Sequence, residues 1–183
     1  MTDILFIYST IDGHTITICE RLAQQAEGAG LRTSIRELSA CTEIDLDSAR
    51  TIVIGASIRY GHHRPFVRHF IRKHRERLDR KPNAFFSVNV VARKPEKNRP
   101  ETNPYLVKFL RQISWRPRHL AVFAGRLDYP RCGFFDRQII RLIMCITKGP
   151  TDPKGVFEFT DWSKVEAFGR ELIETTEQAQ QGV

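Results

Sequence analysis

The sequence predicts an α/β fold of three layers, in which a parallel sheet of five strands lies between two layers of helices. Apolar runs of strand length alternate with longer segments whose apolar residues recur every three or four positions. Continuous apolar strands separated by helices are typical of a parallel sheet covered on both faces. Five such strands match the order 2-1-3-4-5, one of the common orders of doubly wound sheets.

The predicted elements follow in order along the chain. The strands are apolar or β-branched runs, at residues 3–9, 33–37, 51–55, 84–91 and 120–125. The helices each carry an apolar face at helical spacing, at residues 15–29, 65–78, 105–113 and 162–176. Gly28 and Gly30 end the first helix, and Pro65 lies in the first turn of the second. Thr160 or Asp161 caps the last helix.

Residues 126–159, next to the fifth strand, are left over by this alternation. The segment is far longer than an ordinary connection, so we expect a basic helical insertion within a single domain, 1–183. Residues 134–148 place apolar side chains on one side of a helix, and Arg137 and Arg141 on the opposite side. Such a helix lies in a membrane interface, packs on its own domain or lines a substrate pocket, and the pattern leaves these alternatives open. The residues predicted to contact a membrane are Phe134, Phe135, Ile139, Arg141, Leu142 and Ile143.

Charge is unevenly distributed along the chain. The net charge is +8, yet residues 59–154 alone hold 23 basic and 7 acidic side chains. This basic middle indicates a face for an anionic partner, whether nucleic acid, lipid or a small molecule. The four cysteines lack CxxC spacing, so neither a metal site nor a redox pair is predicted. We expect no signal peptide and no membrane span, because no apolar stretch reaches roughly 18 residues.

A polar loop follows the first strand and leads directly into the first helix. The N-terminus of a helix binds phosphate through free backbone N–H groups, and Gly13 lets the backbone approach closely. The loop resembles the one with which flavodoxins bind the phosphate of flavin mononucleotide (FMN). Asp12 stands where flavodoxins usually carry threonine, so its role is open. The predicted phosphate-binding residues are Ser9, Thr10, Ile11, Asp12, Gly13, His14 and Thr15.

Two further loops follow the third and fourth strands. Ligands of open α/β sheets bind beyond the carboxyl ends of the strands, so these loops are predicted to hold the flavin ring. Tyr60 is the aromatic residue available to cover it, and Arg59 and Arg93 bring positive charge that raises the potential of a flavin. The predicted ring-binding residues are Ser57, Ile58, Arg59, Tyr60, Gly61, Asn89, Val90, Val91, Ala92 and Arg93. No side chain is an obvious proton acceptor; weak catalytic candidates are His62, Arg59 and Arg93.

Longer strings resemble the menaquinone-dependent protoporphyrinogen IX dehydrogenase family. They are residues 53–62 (VIGASIRYGH), 87–97 (SVNVVARKPEK), 115–117 (WRP) and 160–162 (TDW). The resemblance implies a flavodoxin-like fold, non-covalent FMN, and oxidation of protoporphyrinogen IX to protoporphyrin IX in haem biosynthesis. It implies a menaquinone or ubiquinone acceptor and a peripheral place on the cytoplasmic side of the inner membrane, against an anionic surface. The cations predicted to bind the two propionates of the substrate are Lys94, Lys97 and Arg99.

Two other functions compete with this interpretation. A flavodoxin-type electron shuttle or general quinone reductase shares the fold and the cofactor. A nucleic-acid binder would use the basic segment, but the sequence carries no recognisable DNA or RNA motif, so we expect no nucleic-acid partner. The oligomeric state is left open by the sequence.

Overall fold

A computed structural model describes residues 1–181, so the last two residues of the predicted domain lie outside the described part. The main sheet contains β1 (Thr2–Ser9), β2 (Thr33–Glu37), β3 (Ala49–Arg59), β4 (His62–His63), β5 (Asn83–Val88) and β6 (His119–Phe123). A separate two-stranded sheet contains β7 (Arg126–Asp128) and β8 (Val156–Glu158). The helices are α1 (His14–Gly28), α2 (Glu43–Ser48), α3 (Pro65–Lys73), α4 (Arg75–Asp79), α5 (Pro104–Gln112), α6 (Phe134–Ile146) and α7 (Trp162–Gln181).

The predicted parallel sheet is confirmed. Its order is β2-β1-β3-β5-β6, which is the order 2-1-3-4-5 of the five predicted strands. On one face, α1 and α7 pack through apolar side chains such as Leu22 and Phe168. On the other face, α3 and α5 pack through side chains such as Phe70 and Phe109. These two cores hold the carboxyl ends of β1, β3 and β5 at one edge of the sheet.

Several boundaries differ from the sequence prediction. The third strand runs on to Arg59 and turns back into β4, which pairs with it in the antiparallel direction. The fourth strand ends at Val88, because Asn89 accepts a hydrogen bond from the Ala92 backbone N–H and begins a 3-10 turn. The helix predicted over 65–78 is two helices, α3 and α4, which meet at the buried His74.

One short helix escaped the sequence patterns, and one of two alternative helix caps is decided by the structure. Helix α2 has too few apolar positions to show a helical period, but Thr42 and Asp45 form a capping box at its start. Of the two caps proposed for α7, Asp161 accepts a hydrogen bond from the Ser163 backbone N–H at 3.1 Å. Thr160 binds elsewhere, through its hydroxyl, to the carbonyl oxygen of Ala124.

The segment 126–159 has structure of its own, as expected. Strands β7 and β8 and helix α6 enclose a small core of Leu127, Tyr129 and Met144. Helix α6 turns its apolar side outward and buries Met144, which the sequence places among its basic residues. Exposed on the outward side are Phe134 (68%), Phe135 (80%), Leu142 (62%) and Ile146 (73%), whereas the half-exposed Ile139 (45%) and Ile143 (48%) line an open cavity between the helix and the sheet loops. Packing on its own domain is therefore not what this apolar side does.

Candidate functional site

The loop between β1 and α1 has the geometry of an anion site. Gly13, just before α1, has φ +83°, a left-handed conformation that glycine adopts without strain. Its backbone N–H donates to Thr10 Oγ1 at 3.1 Å, which closes the turn. The Thr15 hydroxyl is fully buried and has no hydrogen-bond partner among the described residues. A buried, unpartnered hydroxyl in the first turn of a helix fits a bound phosphate.

His14 belongs to the structural support of this loop. Its ring Nε2 is hydrogen-bonded to the Thr160 hydroxyl, which in turn donates to the Ala124 carbonyl at 2.8 Å. Burial lowers the pKa of His14, so the ring is neutral at physiological pH. The side chain thus ties the start of α1 to the segment before α7, and the backbone N–H is the part of His14 available to an anion.

The carboxylate of Asp12, in the loop before α1, is bound by an arginine. Arg59, the last residue of β3, donates to its two carboxylate oxygens at 3.0 and 3.2 Å. The other side of the same guanidinium contacts Asp136 of α6, which also accepts from the Tyr60 hydroxyl. The Tyr60 hydroxyl and Arg59 hold the pKa of Asp136 below its usual value. Arg59 therefore joins the phosphate loop to the insertion.

Tyr60 and Gly61 form the tip of the β3–β4 hairpin. Arg59 pairs with His62 across the turn, and both tip residues have positive φ, +50° and +77°. Positive φ at both positions is typical of the two-residue turns that match the twist of a hairpin. The Tyr60 ring is 59% exposed and lies 5.4 Å from the Arg59 guanidinium carbon. No clear sequence signal indicates this hairpin, because Tyr60 stands where such turns usually carry Asn, Asp or Gly.

A cavity of about 490 Å³ opens between the ring loops and the insertion. Such a volume and an apolar lining are typical of small-molecule sites. Of the residues predicted to bind the cofactor, the wall contains Asp12, Ile58, Arg59, Tyr60, Gly61, Asn89, Val90, Val91 and Arg93. The insertion contributes residues that the sequence did not assign to the ring site, including Leu127, Ile139, Ile140, Ile143 and Met144.

The chain has known relatives. The Flavodoxin domain family matches residues 5–154. Protoporphyrinogen IX dehydrogenase (quinone) of Escherichia coli K12 is 43% identical over 173 residues, which cover 94% of this chain and 96% of the relative. The Leishmania major protein of that name is 42% identical over 169 residues, covering 92% of this chain and 73% of the relative. This chain belongs to the protoporphyrinogen IX dehydrogenase (quinone) family.

Solved structures support the fold assignment. A flavodoxin from the domain Archaea has a TM-score of 0.53 at 14% identity, with 97% of this chain and 98% of that chain covered. The WrbA-like flavodoxin of Agrobacterium tumefaciens has the same TM-score and identity, with 99% of each chain covered. The family member described here is thus an oxidoreductase of the flavodoxin-like fold, and that fold implies a flavin cofactor.

Other predicted cofactor residues lie outside the wall of the cavity. The Ser57 hydroxyl donates weakly to the Ser9 carbonyl at 3.5 Å, between the ends of β1 and β3. Ala92 is buried in the core beneath the second ring loop. Ser9 is buried at the end of β1, and Ile11 is 44% exposed at the phosphate loop. These residues shape the loops from behind or beside the cavity.

The cations of this family member are arranged differently from the sequence expectation. Lys94, Lys97 and Arg99 lie outside the cavity wall, on and after the short turns that follow β5. Arg126 and Arg131 of the insertion line it instead. The sequence did not single them out for the substrate, because strand β7, which contains Arg126, and the turn at Tyr129–Arg131 are too short to show a pattern.

Every arginine of the cavity already has a partner. Arg93 donates to the carbonyl and hydroxyl oxygens of Thr147 at 3.0 and 2.8 Å. Arg126 and Arg131 are paired with Asp128, at 3.0 and 4.0 Å. With Arg59 held between two carboxylates, the positive charge around the predicted ring position is largely offset.

The two histidines of β4 differ in environment. His63 is buried, its Nε2 lies 3.1 Å from the Ser87 hydroxyl, and burial lowers its pKa to about 3. His62 is exposed and lines a smaller pocket beside the cavity. The weak catalytic candidate His62 is therefore outside the cavity wall, whereas Arg59 and Arg93 are in it.

Proposed function

We propose that this chain oxidises protoporphyrinogen IX to protoporphyrin IX, with non-covalent FMN and a respiratory quinone, menaquinone or ubiquinone, as electron acceptor. The reaction supplies haem biosynthesis with its porphyrin. The observation that carries the proposal is the largely apolar cavity, bounded by both predicted ring loops and roofed by α6. The names of the relatives, with 43% identity over nearly the whole chain, supply the substrate and the acceptor class.

The residues of the phosphate loop would hold the phosphate of FMN. The Thr15 hydroxyl and the free backbone N–H groups at the start of α1 would donate hydrogen bonds to its oxygens, and Gly13 would allow the close approach. Asp12 does not repel the phosphate, because its carboxylate is bound to Arg59. When bound, FMN accepts hydride equivalents and passes electrons to a quinone.

The cavity wall positions the reactants and excludes water. Ile58, Val90 and Val91 come from the ring loops, and Ile140 and Met144 come from the insertion. Such side chains suit a flavin ring and an apolar macrocycle, because transfer of their apolar surface from water into the cavity is favourable. Repeated two-electron oxidations remove hydrogen from the macrocycle, and each reduces one quinone to the quinol. The protein mainly orients the partners.

An anaerobic titration tests the proposal against an electron shuttle. FMN-loaded protein is mixed with protoporphyrinogen IX, and we expect the flavin absorbance to bleach and porphyrin fluorescence to appear. Added menaquinone should restore the oxidised flavin spectrum. Protein-free FMN under the same conditions is the control. Bleaching by NAD(P)H, with none by protoporphyrinogen, would favour the shuttle or general quinone reductase.

We also propose that the protein lies on the cytoplasmic side of the inner membrane, with α6 in the lipid interface. Among residues 1–181, no helix has the length and apolar content needed to cross a bilayer. The outward side of α6 nevertheless carries Phe135, Leu142 and Ile146, each more than 60% exposed. An apolar helix side within a basic segment is typical of interfacial binding to anionic lipid, where quinones are dissolved.

A further inference from the structure

A second pocket lies beside the cavity. It has a volume of about 180 Å³ and is bounded by β4, α3 and α5. Gly61 and Tyr105 line both the pocket and the cavity, so the two spaces share a wall. A Cβ atom at Gly61 would lie 3.4 Å from Tyr105 Cε1, which shows how closely the hairpin tip approaches that ring.

The pocket is strongly basic. Arg64 directly precedes α3, Arg68 lies near the start of that helix, and Lys108 comes from α5. The polar side chains of His62, His63 and Gln112 also line it. Within the described part of the chain, no carboxylate lines this pocket, and Arg64, Arg68 and Lys108 form no ion pair.

The cations of the pocket differ from those of the cavity in having no anionic partner among the described residues. In the cavity, the charges of three arginines are offset by the carboxylates of Asp12, Asp128 and Asp136. The guanidinium of Arg93 donates hydrogen bonds to oxygen atoms of Thr147. In the pocket, three cations of one sign lie together on exposed side chains and repel one another. Like charges gathered without partners in this way are stabilised by an anionic ligand.

We propose that this basic pocket binds the carboxylate groups of the substrate while the macrocycle occupies the apolar cavity. The inference rests on the proposed function and assigns the propionates to Arg64, Arg68 and Lys108 rather than to Lys94, Lys97 and Arg99. Guanidinium groups suit carboxylates because they donate two parallel hydrogen bonds. The shared wall places an anion-binding site next to an apolar one, which matches an apolar ring with acidic side chains.

Equilibrium binding tests this assignment without turnover. The double variant Arg64→Gln and Arg68→Gln is compared with the wild type for binding of protoporphyrin IX and of its dimethyl ester, by porphyrin fluorescence. We expect the double variant to bind the diacid at least ten-fold more weakly, equal to about 1.4 kcal/mol. Binding of the ester, which has no carboxylates, should be unchanged. Arg72→Gln, on the same helix and outside the pocket, is the matched control.

Kinetics give a second readout. The double variant should raise KM for protoporphyrinogen IX about ten-fold with little change in kcat, because the removed contacts are made equally in the ground and transition states. Equal losses for diacid and ester, or no loss of diacid binding, would overturn the assignment. So would a loss confined to binding of anionic vesicles, which would make the pocket a lipid-headgroup site. Wild-type protein that binds the diacid without oxidising the porphyrinogen would refute the proposed function and leave the pocket standing.

Discussion

At the scale of single residues, the Thr15 hydroxyl gives the clearest test of the phosphate site. A buried hydroxyl without a partner destabilises the folded protein, and a bound phosphate would supply that partner. Thr15→Val keeps the shape of the side chain and removes the hydroxyl. We expect flavin-free protein to gain about 1 kcal/mol in free energy of unfolding, while FMN binding weakens about ten-fold. Urea unfolding and FMN fluorescence titration measure the two effects.

The two expected effects, higher stability of the flavin-free protein and weaker FMN binding, have opposite signs. Thr17→Val, at an exposed position of the same helix, removes a hydroxyl that forms only a 3.5 Å contact, and should change neither quantity appreciably. If Thr15→Val weakened FMN binding and folding together, the hydroxyl would be a structural group and the anion site would lie elsewhere.

His63 makes stability depend on pH. Burial lowers its pKa to about 3 in the folded protein, below the ordinary value near 6.5. Between these values the unfolded chain takes up a proton that the folded protein does not. The free energy of unfolding therefore falls as pH falls, by up to about 1.4 kcal/mol per pH unit from this residue. His63→Gln should flatten the curve from pH 6.5 downward in urea unfolding, and a variant with the wild-type slope would contradict this role of His63.

Residue-scale prediction from sequence succeeded where backbone position decides and failed where a distant side chain decides. The loop at Gly13 follows from a strand, a helix start and one glycine. The role of Asp12 was open, because its partner Arg59 is 47 positions away and is shared with Asp136, a further 77 positions along. Nothing in local spacing indicates such a three-residue contact.

At the scale of elements, the outward side of α6 is the surface on which the membrane proposal depends. Burying an apolar side chain of this size contributes about 1.5–3 kcal/mol. Phe135→Ser with Leu142→Ser should therefore reduce binding to anionic vesicles by at least about a hundred-fold, measured by co-sedimentation. Ile44→Ser, on α2, removes an equally exposed apolar side chain outside the insertion and serves as control. Unchanged binding in the double variant would show that α6 does not enter the lipid.

Secondary-structure elements were predicted well where the segment is long and its apolar residues recur at a regular spacing. The five parallel strands and the main helices are long enough for their apolar spacing to identify them. The break at His74 was missed because His74 continues the apolar spacing of α3 and is buried, so the pattern runs through the place where the backbone departs from a helix. The pair β7–β8 was missed because three-residue strands have no measurable period.

At the scale of the whole molecule, the sheet and the insertion differ in how firmly they are built. Two large apolar cores hold the helices on the sheet, whereas the insertion encloses only Leu127, Tyr129 and Met144 as its buried apolar side chains. Free energies of local opening follow the buried apolar contacts of a region. We therefore expect residues 126–159 to open at lower free energy than the sheet. The contacts of Asp136 with Arg59 and Tyr60 tie this insertion to the hairpin tip.

The substitution Asp136→Asn weakens the contact between the insertion and the hairpin tip and leaves the two apolar cores unchanged. The variant loses the charge that pairs with Arg59, while Arg59 keeps Asp12 as a partner. Amides of α6 should then exchange with solvent several-fold faster in native-state hydrogen exchange, and amides of β1, β3 and β5 should be unaffected. Because α6 forms part of the cavity wall, bound FMN and protoporphyrin should slow the exchange of its amides. This added protection should be larger in the wild type than in the variant. If the α6 amides of both proteins exchanged only through global unfolding, the prediction would be wrong. The insertion and the sheet would then open as one unit, and α6 would not move independently of the sheet.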